Sequence, residues 1–429
     1  MLRRFRQWLL SVRVSPKRAL LLFAAVAGLA LAAVLGGRYY WAEHQTKAAE
    51  RALAAREYDE AQRRLDAALQ LRPDSGRLHF LAARTARLAG RYDDVRPHLA
   101  ASLNLGYPNE AILLEQALLD FQQGDRGAES FLLHRVEEDD PDSLLILEVL
   151  IQEYVQTFQL KEAMRCSNLY LQKKPNDVQA LLGRALISDR LFYFGDAVLD
   201  CRQAVEVEPQ NDFARLRLAE MLVNTGPARE AVEQFEQLRL KKPTSARVLL
   251  GLARARMQLG EVAEARRDLD ALLQEEPRNA AALSERGKAD LAEENAAMAE
   301  LWLRRSLAEA PHDRQTVYNF VQCLDRLGKT AEADEWRAKL KRIDEDMVRL
   351  AAVTKQMIQT PNNPVLRTEA GVLFLRLGEE EEGRRWLTLA IKLDPSSRPA
   401  HRALADYYRE HGQPSLADQH ERLAGTKPP

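Results

Sequence analysis

Proline recurs in this chain with a fixed step. Pro141, Pro175, Pro209, Pro243, Pro277 and Pro311 stand 34 residues apart, and Pro361, Pro395 and Pro429 continue the step in a shifted phase. Pro73 and Pro108 extend it backwards, with one interval of 35 residues and one of 33. Proline lacks an N–H and clashes with the preceding helical turn, so each one marks a helix end. An internal period of this length signals stacked helical pairs. Such a stack grows by adding units, so it overrides the two or three globular domains that 429 residues would imply.

Small residues keep the same time. Ala61, Ala163, Ala197, Ala231, Ala265, Ala299, Gly383 and Ala417 precede their prolines by twelve residues. Ala49, Ala117, Ala185, Ala219, Ala253, Gly287, Gly371 and Ala405 precede theirs by twenty-four. Two fixed small phases let two helices approach closely. Apolar residues such as Leu216, Leu218, Leu222, Val232 and Phe235 surround them at helical spacing. Gly195-Asp196, Gly226-Pro227, Gly260-Glu261, Gly328-Lys329 and Gly378-Glu379 supply turns between the helices. Each unit therefore reads as helix A, turn, helix B, Pro.

This pattern resembles the tetratricopeptide repeat family over about residues 40–429. The period, the two small phases, the closing Pro and helix-B openings such as Tyr58-Asp59-Glu60-Ala61 and Thr330-Ala331-Glu332-Ala333 carry the resemblance. The family's Trp near the start of helix A is replaced by Leu147, Leu181, Leu249 and Leu283, and Glu129 stands where Ala is expected. The resemblance implies an all-α, right-handed solenoid of about 10–11 helix-turn-helix units.

The beat is missed once. The proline due at 345 is Glu345, Pro361 follows, and no Gly, Pro or Asn occurs between Thr330 and Thr360. A single helix of roughly 30 residues, about 45 Å long, accounts for this. Its stripe of Trp336, Leu340, Ile343, Met347, Leu350 and Met357 reads in two ways. It is either an over-long helix B packed on the next unit, or a short coiled-coil seam that gives self-association through 331–360.

The N-terminus is of another kind. Residues 1–18 form a basic leader with Arg3, Arg4, Arg6, Arg13, Lys17 and Arg18, and residues 19–37 carry no charge. A run of this length approaches the roughly 20 residues that cross a hydrocarbon core. A cleaved signal peptide at Ala30-Leu31-Ala32 is the competing reading, but the run is long for one. The expectation is a signal-anchor transmembrane helix over 19–37. The basic leader places the N-terminus in the cytoplasm and the repeats outside it, periplasmic in a bacterium. The remaining boundaries fall at 40–311 for regular units, 312–361 for the unit with the extended helix, and 362–429 for the closing units.

Composition excludes several functions. Lys and Arg total 62 against 63 Asp and Glu, so nothing indicates nucleic acid as a partner. Cys166, Cys201 and Cys323 form no even framework and read as buried thiols. No phosphate loop, nucleophile elbow or zinc-type His/Cys spacing occurs, so no catalytic residue, cofactor or metal is expected. The chain reads as a non-enzymatic scaffold for protein or peptide partners.

In the tetratricopeptide family, helix A of each unit lines the concave face. By phase, the resemblance places there Gln179, Leu182, Leu186 and Asp189, then Phe213, Leu216, Glu220 and Asn224. It continues with Arg247, Leu250, Arg254 and Gln258, then Ser284 and Lys288, then Tyr318, Gln322 and Arg326. Apolar anchors bordered by Arg247, Arg254 and Lys288 suit an extended or helical segment with acidic character. Some relatives grip a terminal carboxylate with Lys and Asn, and Asn224, Arg254 and Lys288 match that pattern only loosely. Two other roles follow by analogy: an assembly factor for an envelope machine (polysaccharide export, cytochrome maturation or secretion), and a self-assembling structural protein.

Overall fold

The computed structural model describes the backbone of residues 16–138 and 140–425, and side chains from residue 24 onward. Among the described residues there are helices and no strands: α1 (Pro16–Ala54), α2 (Tyr58–Leu71), α3 (Gly76–Leu88), α4 (Tyr92–Asn104), α5 (Asn109–Gln122), α6 (Gly127–Glu137), α7 (Ser143–Gln156), α8 (Leu160–Lys173), α9 (Val178–Arg190), α10 (Phe194–Val207), α11 (Asp212–Thr225), α12 (Ala228–Lys241), α13 (Ala246–Leu259), α14 (Val262–Glu275), α15 (Ala280–Ala292), α16 (Ala296–Glu309), α17 (Arg314–Arg326), α18 (Thr330–Gln359), α19 (Pro364–Arg376), α20 (Glu380–Leu393), α21 (Arg398–Glu410) and α22 (Pro414–Leu423). Odd numbers are A helices and even numbers B helices. The chain divides into two compact units, Met1–Ile146 and Leu147–Pro429.

Local chemistry repeats with the period. The prolines follow the ends of B helices, and after six of them the residue two positions later caps the next helix A with its side chain. Asp177, Asn211, Asn279 and Asp313 accept from the N–H of Ala180, Ala214, Ala282 and Thr316. Ser75 and Asn363 cap in the same way. Asn, Asp and Ser are the residues that satisfy these orphan donors best. Between A and B the chain needs one left-handed residue. Glycine supplies it at Gly226, Gly260 and Gly328, but Arg56, Phe158, Phe192 and Glu294 hold that conformation with a side chain. A non-glycine residue there costs on the order of 1–3 kcal/mol.

The small phases are contact points. Ala219, Ala231, Ala253 and Ala265 are fully buried. A Cβ on Gly287 would stand 2.6 Å from Leu303 Cγ, and one on Gly371 2.7 Å from Leu387 Cγ. The position the family gives to Trp is filled in two ways. Leu147, Leu181, Leu249 and Leu283 are buried there as apolar filling. His79, Arg215, Arg367 and His401 instead hydrogen-bond the carbonyl of the preceding Pro. A buried polar group is tolerated when it finds such a partner.

A helices of successive pairs touch directly, as α9 with α11, α11 with α13 and α13 with α15, whereas B helices touch only A helices to any comparable extent. The A side is therefore the inner side of the stack. The stretch without Gly, Pro or Asn is the 30-residue α18. Its apolar stripe is largely turned inward. Ile343, Val353 and Met357 are buried, Trp336 and Leu340 pack against the core around Phe320, and Met347 remains 44% exposed.

The membrane expectation is corrected. Among the described residues no helix is long and apolar enough to cross a membrane. The helix of the uncharged run continues through Arg38, Glu43 and Lys47 to Ala54, and its later turns pack on α2. The single-pass topology, with a cytoplasmic N-terminus and extracytoplasmic repeats, is withdrawn with it. The basic leader lies mostly outside the described residues.

Candidate peptide-binding face

The candidate residues belong to A helices α9, α11, α13, α15 and α17, all in the second unit. They do not form one exposed row. Leu182 is buried in the core with Leu218 and Leu222. Leu186, Leu216 and Leu250 are half-buried, and Ser284 is buried and accepts from Thr316 Oγ1 at 2.7 Å. Two large aromatics do face solvent: Phe213 is 54% exposed and Tyr318 41%. Gln179, Asn224, Arg247, Arg254, Gln258 and Arg326 are exposed, and Asp189, Glu220, Lys288 and Gln322 are half-buried.

The charged members pair both between repeats and within a helix. Arg247 Nη2 donates to Glu220 Oε1 at 2.6 Å, and Arg217 Nη1 donates to Glu220 Oε2 at 3.2 Å. Arg254 Nε donates to Glu285 Oε1 at 2.9 Å, and Lys288 Nζ to Glu285 Oε2 at 3.4 Å. Gln258 and Arg326 donate to the carbonyls of Val223 and Leu291 in the preceding repeats. The face thus carries cations already balanced in part by carboxylates, with the aromatics at α11 and α17 outside that lattice. Glu285, which the phase argument omitted, is the residue that joins Arg254 to Lys288. In the loose match to a carboxylate grip, Arg254 and Lys288 both contact Glu285 while their side chains stay partly exposed.

The remaining chemistry is quiet. Cys166, Cys201 and Cys323 are buried and form no disulfide, and burial pushes the Cys201 and Cys323 thiols up to about 11. Among the described residues no group of three or more His, Cys, Asp and Glu could hold a metal ion. The histidines, scattered in sequence, are partly paired in space. His79 and His98 bring their Nδ1 atoms to 3.0 Å, and His401 and His420 bring theirs to 2.9 Å. The signal was present in the period: each pair stands 6 and 25 residues after its proline, Pro73 or Pro395.

Comparison with known proteins agrees with the repeat reading. Family models described as tetratricopeptide repeat match residues 226–288 and residues 46–106. Over these two stretches the chain carries tetratricopeptide repeats. Among solved structures, PilW, a type IV pilus biogenesis factor, is similar at 19% identity, covering 47% of this chain and 93% of its own, with a TM-score of 0.42. MamA from Desulfovibrio magneticus RS-1 is similar at 14% identity over 40% of this chain and 97% of its own, with a TM-score of 0.38. Human IFIT1 in complex with m7Gppp-AAAA is similar at 16% identity over 82% of this chain and 89% of its own, with a TM-score of 0.39. No curated protein sequence matches the chain.

Proposed function

We propose that the chain is a non-enzymatic scaffold that holds segments of partner proteins against the A helices of its second unit. The observation that carries this reading is the exposure of Phe213 and Tyr318 on α11 and α17. A stack of buried repeats has no packing use for these rings. Aromatic anchors flanked by charges are the usual centre of a recognition surface. Arg247, Arg254 and Lys288 lie on the A helices between them, so an extended or helical segment with apolar anchors and acidic flanks fits the surface.

The test is a photoreactive residue placed at 213 or 318 of the full-length protein in its native cells. Adducts should form from these positions and not from Leu240 of α12, which is 86% exposed on a B helix. The same adducts should weaken when Arg247, Arg254 and Lys288 are reversed together. Equal yields from position 240 would sink the assignment.

Self-association through 331–360 has narrower support. On α18, Val348 is 72% exposed in a trough it shares with Arg337, Lys341, Asp344, Glu345 and Arg349, and Met347 is 44% exposed. Light scattering that stays monomeric at high concentration removes this second reading.

A further inference from the structure

In the second unit the chain meets itself after a long excursion in sequence. Phe158, in the turn between α7 and α8, lies edge-on to Trp386 of α20, with ring centroids 5.0 Å apart. Both rings are nearly buried, at 7% and 3% exposure. Arg367 of α19, 2% exposed, donates from Nη2 to Thr157 O at 2.6 Å and to Pro361 O at 2.7 Å. Lys161 Nζ reaches Gln359 Oε1 at 2.5 Å. These contacts join the fourth helix pair to the end of α18 and the tenth pair. Across the seam they engage side chains and the Thr157 carbonyl.

The backbone at the seam carries the second argument. Phe158 occupies the left-handed turn position with φ +60°, where most repeats place glycine. Phe192 occupies the same position one repeat later with φ +64°, yet it is 55% exposed and faces Phe194 rather than a distant helix. A bulky residue in this region carries a backbone cost on the order of 1–3 kcal/mol that its surroundings must offset. At Phe158 the surroundings are the seam.

We propose that Phe158, Trp386 and Arg367 form a clasp that holds the second unit closed and can open as a device. The span it closes, from 158 to 386, includes every A helix of the candidate face. Opening of the clasp changes how those helices are presented without unfolding any repeat. The clasp stands apart from the peptide-binding reading and can be tested without a partner.

The experiment places nitroxide labels at Glu162→Cys and Lys355→Cys in the full chain, both exposed and beside the seam. The native cysteines are buried, which keeps labelling selective. Distances are read by pulsed electron resonance. Phe158→Gly suits the turn and removes the ring, so helicity should persist while the distance distribution becomes longer and broader. Trp386→Leu, which keeps apolar filling, should shift it the same way. Phe192→Gly relieves the same backbone position without touching the seam and should leave the distance unchanged. A wild-type distance in both Phe158→Gly and Trp386→Leu overturns the clasp, and so does an equal shift in Phe192→Gly.

Discussion

The two units contain the same joint in two settings. Arg84 of α3 pairs with Glu115 of α5, and Arg254 of α13 pairs with Glu285 of α15, each pair 31 residues apart and each linking neighbouring A helices. In both, a second cation takes the other carboxylate oxygen: Arg87 in the first unit at 2.7 Å and Lys288 in the second at 3.4 Å. The surroundings differ. Glu115 and Arg87 have no exposed side-chain surface, whereas Arg254 and Lys288 are 44% and 40% exposed. Burial raises the carboxyl pKa of Glu115, but Arg87 and Arg84 outweigh it and the net shift is downward. One geometry therefore serves as an interior weld in the first unit and as part of an accessible face in the second.

The comparison breaks most sharply at Arg87. Removing one partner of a buried pair strands a charge and costs about 3–5 kcal/mol. Arg87→Met leaves Glu115 with Arg84 alone and should therefore destabilise the first unit by up to about that scale, read by chemical unfolding. Arg254→Met should cost about 0–1 kcal/mol, as exposed pairs do, and should act instead on partner capture. Equal losses from the two changes would remove the distinction between weld and face.

Packing defects come next and should be indifferent to the unit. Gly287→Ala would drive a Cβ into Leu303, and Ala231→Leu would overfill a site with no exposed surface. Each should cost about 1–3 kcal/mol, measured by urea titration. An unchanged midpoint for Ala231→Leu would mean that this contact is not close.

Acidity gives a smaller effect with a definite sign. His98 is pushed down by burial and then by the His79 charge, against a pull upward from Asp66 and Asp94. His420 is pushed down by burial and then by His401, while Tyr408 stacks on its ring. A histidine whose folded pKa is lowered binds protons more readily when unfolded. The stability these pairs contribute is present above the ordinary histidine range near 6.5 and is lost as pH falls through it. Hydrogen exchange at pH 5.5 against 7.5 should show faster opening of α3–α4 and α21–α22, with α11–α14 unchanged. Glutamine at both positions of a pair should abolish the difference.

Much of the fold was legible in one chain. The prolines locate the ends of the B helices, the alanine phases locate the buried crossings, and the stretch without Gly, Pro or Asn forms one helix. These features are local: a missing N–H or Cβ acts on the next turn or the adjacent helix. The candidate face was legible only in part. Phase assigned Leu182 and Phe213 to one surface, yet Leu182 is buried and Phe213 exposed. A helix-A position turns inward or outward according to the neighbouring repeat, which a single period cannot express. The histidine pairs were readable from their offsets. Glu285 was not, because its role depends on how close successive A helices come.

The order of helices, their caps and the residues that let them touch were determined by the sequence alone, since each follows from chemistry within a repeat or between adjacent ones. Three things were decided only by tertiary structure: the burial that separates Arg87 from Arg254 and Lys288, the occupation of the candidate cations by carboxylates, and the meeting of Phe158 with Trp386. The reason is common to them. Each depends on how small rotations between successive repeats accumulate, and that sum sets which residues far apart in the chain share a low-dielectric interior and which remain in water.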